Sequence, residues 1–326
     1  MVNMNTLDLN LVRVFDALME ERNVRRAGLL LGVTQSAVSH ALNRLRHHLN
    51  DELFVRTRAG MIPTARAVEI AGPLREALRA IASTLDSASF DPLTTKRRFV
   101  LAANDMMIAT VGMQLIAMLA TAAPGVDLVI RPVTRIDLAE QVDMGLIDVA
   151  LGVFGDVPAR FQSEPALALH DIVALRAGHP AGGEPRLETL GRYPLAVVSF
   201  GGPEAGAIDG YVIERGLARQ LEPFDRAALE AAFAKAGVHP RFAVLAPYFM
   251  VLPAMLRDTD LIAIVPSLMA PIFRASGVTV APLPYAAKPF AARMVWHRRT
   301  TADVGHAWFR SLLAQAARAG AAAEPA

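Results

Sequence analysis

Cysteine is absent from all 326 residues of the chain. Disulfide bonds, metal sites built on thiolates and thiol redox chemistry are therefore excluded. The hydrophobic content of 53% is high enough to fill folded cores and argues against intrinsic disorder. A chain of this length accommodates two or three domains of ordinary size.

Lysine is scarce as well, because only Lys96, Lys235 and Lys288 stand among the 33 basic residues. The arginines that make up the rest are unevenly placed. Segment 22–66 holds eight arginines and two acids, a net charge of +6, although the whole chain carries only +2. A basic segment in an otherwise acidic chain is typical of a module that binds nucleic acid.

Targeting and membrane segments are not evident in the sequence. The first 21 residues carry four acids where a signal peptide would need an apolar run. The most apolar stretch, 106–123, has about the minimum length for crossing a bilayer, but Gln114 and two threonines interrupt it. We therefore expect a buried helix there, and a soluble cytoplasmic protein with no membrane contact.

The common catalytic motifs are missing too. We find no Gly-x-Gly-x-x-Gly, phosphate-binding loop, Gly-x-Ser-x-Gly or His-Glu-x-x-His. His40, His47 and His48 could bind a metal, but no carboxylate supports them, so we favour contacts with DNA. We expect a protein that is not an enzyme and has neither a metal nor a cofactor.

Two adjacent amphipathic segments predict a helix-turn-helix. Val24–Leu31 forms a first short helix, Gly32 suits its end, and Thr34 is a good N-cap for a second helix. One side of that second helix is apolar, with spacings of four, three and four between Val38, Leu42, Leu45 and Leu49. The other side is polar and can reach base edges or phosphates. The alternative is an ordinary helix with a solvated face, and the local charge favours DNA.

The segments that flank this motif complete a DNA-binding module, which we assign to residues 1–64. Asp8 can cap a first helix, and 52–64 is typical of a short β-ribbon with its turn near 58–60. Arg56 and Arg58 would lay this ribbon against the DNA backbone as a wing. Contacts of that kind position a protein without reading the base sequence.

A linker helix and hinge are predicted over 65–95. Thr64 caps a helix that runs to about Ser87, and Gly72-Pro73 should kink or interrupt it. The helix carries an apolar stripe with coiled-coil-like spacing: Val68, Ala71, Leu74, Leu78, Ile81 and Leu85. We favour pairing of this stripe with a second copy of the chain, and the alternative is packing on its own domain.

From Phe99 onwards, short apolar strands alternate with helices, an order that predicts mostly parallel sheets. We assign 96–317 to a two-lobed α/β domain, with lobe 1 at about 96–165 and 266–317 and lobe 2 at about 166–265. A ligand would bind between the lobes, near the strand carboxyl ends. Segment 318–326 is interpreted as a frayed tail.

Several motifs then resemble one known family, the LysR-type transcriptional regulators. The N-terminal motifs are Phe15-Asp16-Ala17-Leu18, Thr34-Gln35-Ser36-Ala37-Val38-Ser39, Leu53-Phe54-Val55-Arg56 and Pro63-Thr64. In the second module, Gly145-Leu146-Ile147-Asp148-Val149-Ala150, Pro247-Tyr248-Phe249 and Met294-Val295-Trp296-His297-Arg298-Arg299 are similar to the branch of nodulation and aromatic-catabolism regulators. The resemblance covers nearly the whole chain.

This resemblance implies a multi-domain α+β protein. Its parts are an N-terminal winged helix-turn-helix, a dimerising linker helix and a C-terminal effector domain shaped like a periplasmic solute-binding protein. It also implies a homodimer or homotetramer that binds an interrupted palindrome in double-stranded DNA, and a contact with RNA polymerase if the protein is an activator. A solute receptor without a DNA role and an architectural DNA binder remain the alternatives. The basic N-terminal segment argues against the first, and the long second module argues against the second.

The resemblance also assigns functional residues. Gln35, Ser36, Ser39 and His40 match the base-reading part of the recognition helix, and Arg56 matches the arginine of the wing. The complete predicted DNA-binding set is Arg25, Thr34, Gln35, Ser36, Ser39, His40, Asn43, Arg44, Arg56 and Arg58. Two departures stand out, because Arg25 replaces a capping Ser or Thr and Gly28 replaces Ala. Each would cost about 1 kcal/mol of local helix stability.

The candidate effector-binding residues follow the ends of predicted strands. They are Asn104, Asp105, Met106, Thr134, Phe200, Gly201, Tyr248 and Phe249. Tyr248-Phe249 opens a helix whose N-terminus favours an anion, so we expect an aromatic acid or a phenolic compound. The alternatives are a helix cap for Asp105 and core packing for Tyr248 and Phe249. Tyr248 also replaces a histidine common in the branch. Compared with the family, segment 206–222 resembles an insertion in the lobe that forms the cleft.

Overall fold

The computed structural model describes residues 8–57, 60–85, 90–134, 137–182, 185–201 and 211–322. The chain divides into two compact units. The first comprises 1–89 with 143–146, and the second comprises 90–142 with 147–326.

The first unit is a three-helix module followed by a ribbon and a long helix. Its elements are α1 (Leu9–Glu21), α2 (Val24–Leu31), α3 (Gln35–Leu49), β1 (Phe54–Thr57), β2 (Gly60–Pro63) and α4 (Ala65–Leu85). Asp8 caps α1 by accepting a hydrogen bond from the Asn10 N–H at 2.9 Å. Strands β1 and β2 pair antiparallel, so the predicted helices and ribbon are confirmed.

The core of the first unit lies between α1, α3 and β1. Phe15 and Phe54 are both buried, with their ring centroids 5.8 Å apart. Asp16 of α1 accepts a hydrogen bond from Nε of buried Arg75 at 2.6 Å, which ties α4 to the module. Helix α4 continues through Gly72-Pro73, so the predicted interruption is wrong. Its packing against α1 stabilises the turn where proline removes one backbone donor.

The apolar stripe of α4 divides into two parts. Ala71 is buried and Leu74 packs against the core of the unit, which is the packing that the alternative interpretation predicted. Further along, Leu78 is half-buried and Ile81 is 39% exposed. This C-terminal part leaves apolar surface of Ile81 available to a partner.

The second unit contains two five-stranded sheets, one for each lobe. The first sheet has the order β4-β3-β5-β14-β6. Its strands are β3 (Arg98–Ala103), β4 (Asp127–Pro132), β5 (Val149–Val153), β6 (Phe161–Leu169) and β14 (Phe290–His297). Strand β14 pairs antiparallel with both neighbours, whereas β4, β3 and β5 are parallel. Four of the five strands therefore run in one direction.

The second sheet has the order β11-β8-β12-β7-β13. Its strands are β7 (Asp171–Arg176), β8 (Leu195–Val198), β11 (Phe242–Ala246), β12 (Ile262–Pro266) and β13 (Val278–Pro282). Here β7 is the antiparallel strand. The sequence placed 266–317 in lobe 1, but β13 pairs with β7 and so belongs to lobe 2. Nonlocal strand pairing of this kind has no signal in the local sequence.

Helices cover both sheets and close the second unit. They are α5 (Asp105–Met107), α6 (Met113–Ala122), α7 (Leu138–Asp143), α8 (Leu187–Leu190), α9 (Arg226–Lys235), α10 (Leu252–Arg257), α11 (Ala270–Ala275) and α12 (Val304–Ala322). Helix α12 extends five residues beyond the predicted start of the tail, and Gly320 is buried. The assignment of 318–326 as a frayed tail is therefore wrong up to residue 322.

The apolar stretch near 106–123 forms one helical segment, in which a π-helical turn at Ile108–Gly112 joins α5 to α6. Residues 105–122 are long and apolar enough to cross a membrane by length and composition. In this fold Val111, Leu115 and Leu119 are buried in the core of the unit, and α6 packs against α12. The prediction of a core helix is confirmed for that face.

The predicted insertion contains a β-hairpin. Strands β9 (Tyr211–Glu214) and β10 (Leu217–Gln220) pair antiparallel around a two-residue turn. Arg215 and Gly216 have φ values of 47° and 83°, as a type I′ turn requires. Residues 206–210 of the predicted insertion lie outside the described residues.

Candidate functional site

The N-terminal half of α3 presents small polar groups at the surface of the first unit. Thr34 caps the helix, and its Oγ1 accepts a hydrogen bond from the Ala37 N–H at 3.2 Å. The hydroxyl groups of Thr34 and Ser36 lie 3.0 Å apart. Buried Val38 and Leu42 fix the opposite side of the helix in the core, so the polar side is held outward.

Most of the predicted DNA-binding residues lie at this surface. The exposed ones are Arg25, Thr34, Gln35, Ser36, His40, Asn43, Arg44 and Arg56, and Ser39 is half-buried. Arg58 lies outside the described residues. Arg44 and Asp8 form a long, exposed ion pair of 3.9 Å, which leaves the arginine available to another anion.

Arg46, on the same helix, holds the ribbon in place. Its Nε donates to the Glu52 carbonyl at 2.7 Å, and its Nη2 donates to the Phe54 carbonyl at 2.8 Å. Its Nη1 also donates to Oδ1 of Asn43 at 3.3 Å. The sequence did not indicate this structural role, because Arg46 is one of eight arginines in a basic segment.

The two departures noted in α2 have structural explanations. Asn23 caps the helix in place of residue 25, because its Oδ1 accepts hydrogen bonds from the Arg25 and Arg26 N–H groups. A Cβ atom at Gly28 would lie 2.8 Å from the Val33 carbonyl oxygen, so glycine permits the close turn into α3. The predicted loss of a cap is therefore wrong, and Gly28 serves the turn.

The second unit contains a cleft with aromatic and polar residues. It has about 370 Å³ of empty space counted out to its open mouth. The residues around it are Asn104, Met106, Val133, Gly152, Val153, Phe154, Phe200, Arg219, Gln220, Pro223 and Phe290. They come from the strand ends of the first sheet, from β14, and from the segment around the hairpin.

Three of the predicted effector residues lie at this cleft, namely Asn104, Met106 and Phe200. The other five do not line it. Thr134 and Gly201 lie outside its lining, and Tyr248 is 56% exposed. Phe249 is fully buried, with its ring 6.0 Å from that of Phe200, as the core-packing alternative predicted.

Asp105 occupies the helix terminus that was predicted to hold an effector's anion. Its Oδ2 accepts a hydrogen bond from the Met250 N–H at 2.8 Å, so a carboxylate of the protein already fills this position. Burial raises the pKa of Asp105, and backbone hydrogen bonds oppose that shift in part. The predicted anion site at Tyr248-Phe249 is therefore corrected.

Arg219 and Gln220 are the cleft residues that the sequence analysis missed. Arg219 is only 5% exposed, and its Nη1 has no hydrogen-bond partner among the residues that the structure describes. Oε1 of Gln220 is likewise buried without a partner in the described part of the chain. The available signal was Glu214-Arg215-Gly216-Leu217, a hairpin turn between two short β-prone runs.

Comparisons with known proteins agree with this architecture. Residues 9–68 match the family described as bacterial regulatory helix-turn-helix protein, lysR family. Residues 94–222 and 214–318 match the LysR substrate binding domain. The chain belongs to the LysR family.

Individual relatives extend over almost the whole chain. The HTH-type transcriptional activator NahR of Pseudomonas putida is 32% identical over 96% of this chain and 98% of its own length. Nodulation protein D 2 of Sinorhizobium fredii is 30% identical over 95% of this chain and 94% of its own. These matches confirm the predicted family and its nodulation and aromatic-catabolism branch.

A solved structure is similar over the same range. The crystal structure of a probable transcriptional regulator from Pseudomonas aeruginosa is 32% identical, with a TM-score of 0.66 over 95% of this chain and 97% of that one. This LysR-family chain is therefore a transcriptional regulator with a DNA-binding helix-turn-helix and an effector-binding domain, and not an enzyme. LysR regulators bind DNA and small-molecule effectors.

Proposed function

We propose that α3 reads the operator and that a small molecule in the cleft of the second unit controls this reading. Residues 1–64 would bind DNA, 65–95 would link and dimerise, and the domain that starts near 96 would bind the effector. The observation that carries the proposal is the capped, outward-facing polar half of α3, in a segment whose net charge is +6.

Base reading is assigned to the N-terminal turns of α3. In a helix-turn-helix these turns enter the major groove. Gln35 can form a bidentate pair with adenine, and Ser36, Ser39 and His40 follow on the same side of the helix. Contacts with phosphates, which would fix the register on the duplex, are assigned to Thr34, Asn43 and Arg44 of α3, to Arg25 on α2, to Arg56 on β1 and to Arg58.

Assembly is proposed to use the C-terminal half of α4, where Ile81 is 39% exposed. Pairing there would give a homodimer whose two recognition helices face successive major grooves, and pairing of dimers would give a tetramer. An activator of this kind would also contact RNA polymerase. These activities place the protein in the cytoplasm, where its DNA is.

A substitution in the recognition helix tests the assignment. Gln35→Ala should weaken binding to the operator by about 1–3 kcal/mol while binding to random DNA stays nearly unchanged, because only a base contact is lost. Fluorescence anisotropy with both duplexes measures the two affinities. Gln315→Ala, an exposed glutamine of α12, is the matched control and should change neither. Equal weakening on both duplexes would refute base reading by Gln35.

A further inference from the structure

A buried guanidinium with one unpaired donor lines the cleft of the second unit. Only 5% of the surface of Arg219 is exposed, and its Nη1 lacks a hydrogen-bond partner among the described residues. Burying an unpaired donor on a charged group is costly. Burial also lowers the pKa of Arg219, in the direction expected for a cation removed from water. An anion that reaches the guanidinium from the cleft, which Arg219 lines, would offset this cost.

One carboxylate acts on Arg219 through its charge, but its oxygens are already hydrogen-bonded to other groups. Glu214 interacts with Arg219 through charge, but its two oxygens accept hydrogen bonds from the N–H groups of Ala139 and Glu140. These bonds, of 3.2 and 3.4 Å, cap the start of α7. Glu214 therefore moderates the charge of Arg219 without satisfying Nη1.

The hairpin holds Arg219 in a fixed position. Backbone hydrogen bonds join Ala218 to Gly155 at 2.8 Å and to Asp156 at 2.9 Å, so β10 is attached to the first lobe. Just after the hairpin, the Leu221 carbonyl accepts from the Phe200 N–H at 2.9 Å, which attaches the same segment to the second lobe. The backbone on both sides of Arg219 is therefore held in place, which favours a preorganised site.

The surroundings define the rest of the ligand. Phe154, Phe200 and Phe290 line the cleft together with Arg219. A guanidinium presents its donors in a planar fork that matches a carboxylate, and the three rings suit an apolar body.

We infer that Arg219 is the anion subsite of the cleft and that it binds the carboxylate of a small, single-ring acid. This inference rests on the proposed function, since it specifies the effector of the same cleft. It also assigns the anion site to the hairpin and not to the helix after β11, because the carboxylate of Asp105 already occupies that helix terminus.

Calorimetry with benzoate and benzamide as probes tests the subsite, because the two have similar shapes and only benzoate is charged. Wild-type protein should bind benzoate at least about tenfold more tightly than benzamide. Arg219→Met should weaken benzoate by about 10- to 100-fold and leave benzamide nearly unchanged. Arg215→Met is the control, because this arginine on the same hairpin is half exposed and its ion pair with Glu140 is worth little.

Arg219→Lys is a second variant, in case Arg219→Met fails to fold. It keeps the charge but loses the planar fork of guanidinium donors. It should weaken benzoate several-fold and spare benzamide. Unchanged benzoate binding in both Arg219 variants would overturn the inference, as would wild-type protein that binds benzoate no better than benzamide. These measurements contain no DNA, so their failure is distinct from failure of operator binding, which is measured separately.

Discussion

Asp171 is a buried carboxylate that destabilises the second unit when it is charged. It lies on β7 with 5% of its surface exposed, and its Oδ1 has no hydrogen-bond partner among the described residues. Burial raises its pKa to about 6, the Asp225 N–H lowers it, and the negative charge of Asp225 raises it further. The folded protein therefore holds a proton here that the unfolded chain, with a pKa near 3.8, releases.

The free energy of unfolding should consequently change with pH at this site. The contribution of Asp171 is most favourable below about pH 4 and is lost as the pH rises to about 6. Asp171→Asn removes the charge and keeps an acceptor for the Asp225 N–H. The variant should be more stable than wild type by about 2 kcal/mol at pH 7.5 and by much less at pH 4.5. Urea unfolding at both pH values measures this, and an equal difference at both would contradict it.

His306 acts in the opposite direction, which is why the variant must be compared with wild type at each pH. The imidazole is fully buried, lies 3.0 Å from the Asp148 carbonyl and accepts from Nη1 of Arg310 at 2.6 Å. Burial lowers its pKa to about 4. Its contribution is therefore present above pH 6.5 and lost as the pH falls towards 4.

Among the structural elements, the ribbon of the first unit is expected to contribute to the affinity for any DNA and not to sequence specificity. Arg56 lies exposed on β1, and Arg46 holds that strand to α3. Phosphate contacts contribute to binding of any sequence and release counterions. The role of the ribbon is therefore visible in the salt dependence of binding.

Arg56→Ala should weaken binding to the operator and to random DNA alike. It should also reduce the slope of log K against log salt by about one, because one phosphate contact is lost. Titrations at several salt concentrations give the slope. Arg257→Ala, which removes the same charge from α10 in the second unit, should leave the slope unchanged. A selective loss on the operator alone would mean that Arg56 reads bases.

The same elements show how far sequence could predict the fold. Local signals were sufficient for α3, because Thr34, the apolar spacing and Gly32 each specify one feature of the helix. They were insufficient for β13, which was assigned to lobe 1 but pairs with β7 of lobe 2 at residues about 100 positions apart, such as Ala174 and Val280. Pairing across that distance depends on the whole fold and leaves no periodicity in either strand.

Prediction of the cleft was weaker for a related reason. Strand ends correctly indicated Asn104 and Met106, because residues after parallel strands gather at one edge of a sheet. Arg219 was missed because the hairpin is positioned by contacts with Gly155 and Asp156, far away in sequence. Phe249 was placed at the cleft in error, since spacing alone could not distinguish a buried core ring from a ligand-binding one.

On the scale of the whole molecule, the basic segment proposed to bind DNA and the cleft proposed to bind the effector lie in different units. The basic segment 22–66 belongs to the first unit, and the cleft belongs to the second. A regulator of this design must bind one specific DNA site more tightly than the chromosome's random sequence. The geometry of α3 and the proposed pairing through α4 together predict how that site is arranged.

Sequence-specific recognition can be tested by footprinting the purified protein on DNA upstream of its own gene, at low and at high salt. We expect two protected major-groove patches whose centres are about 10 base pairs apart, or a multiple of that spacing, and which persist as salt rises. Sequence-independent charge attraction would instead give diffuse protection that disappears at high salt. That second result, repeated on candidate operators elsewhere in the genome, would contradict sequence-specific recognition by this chain.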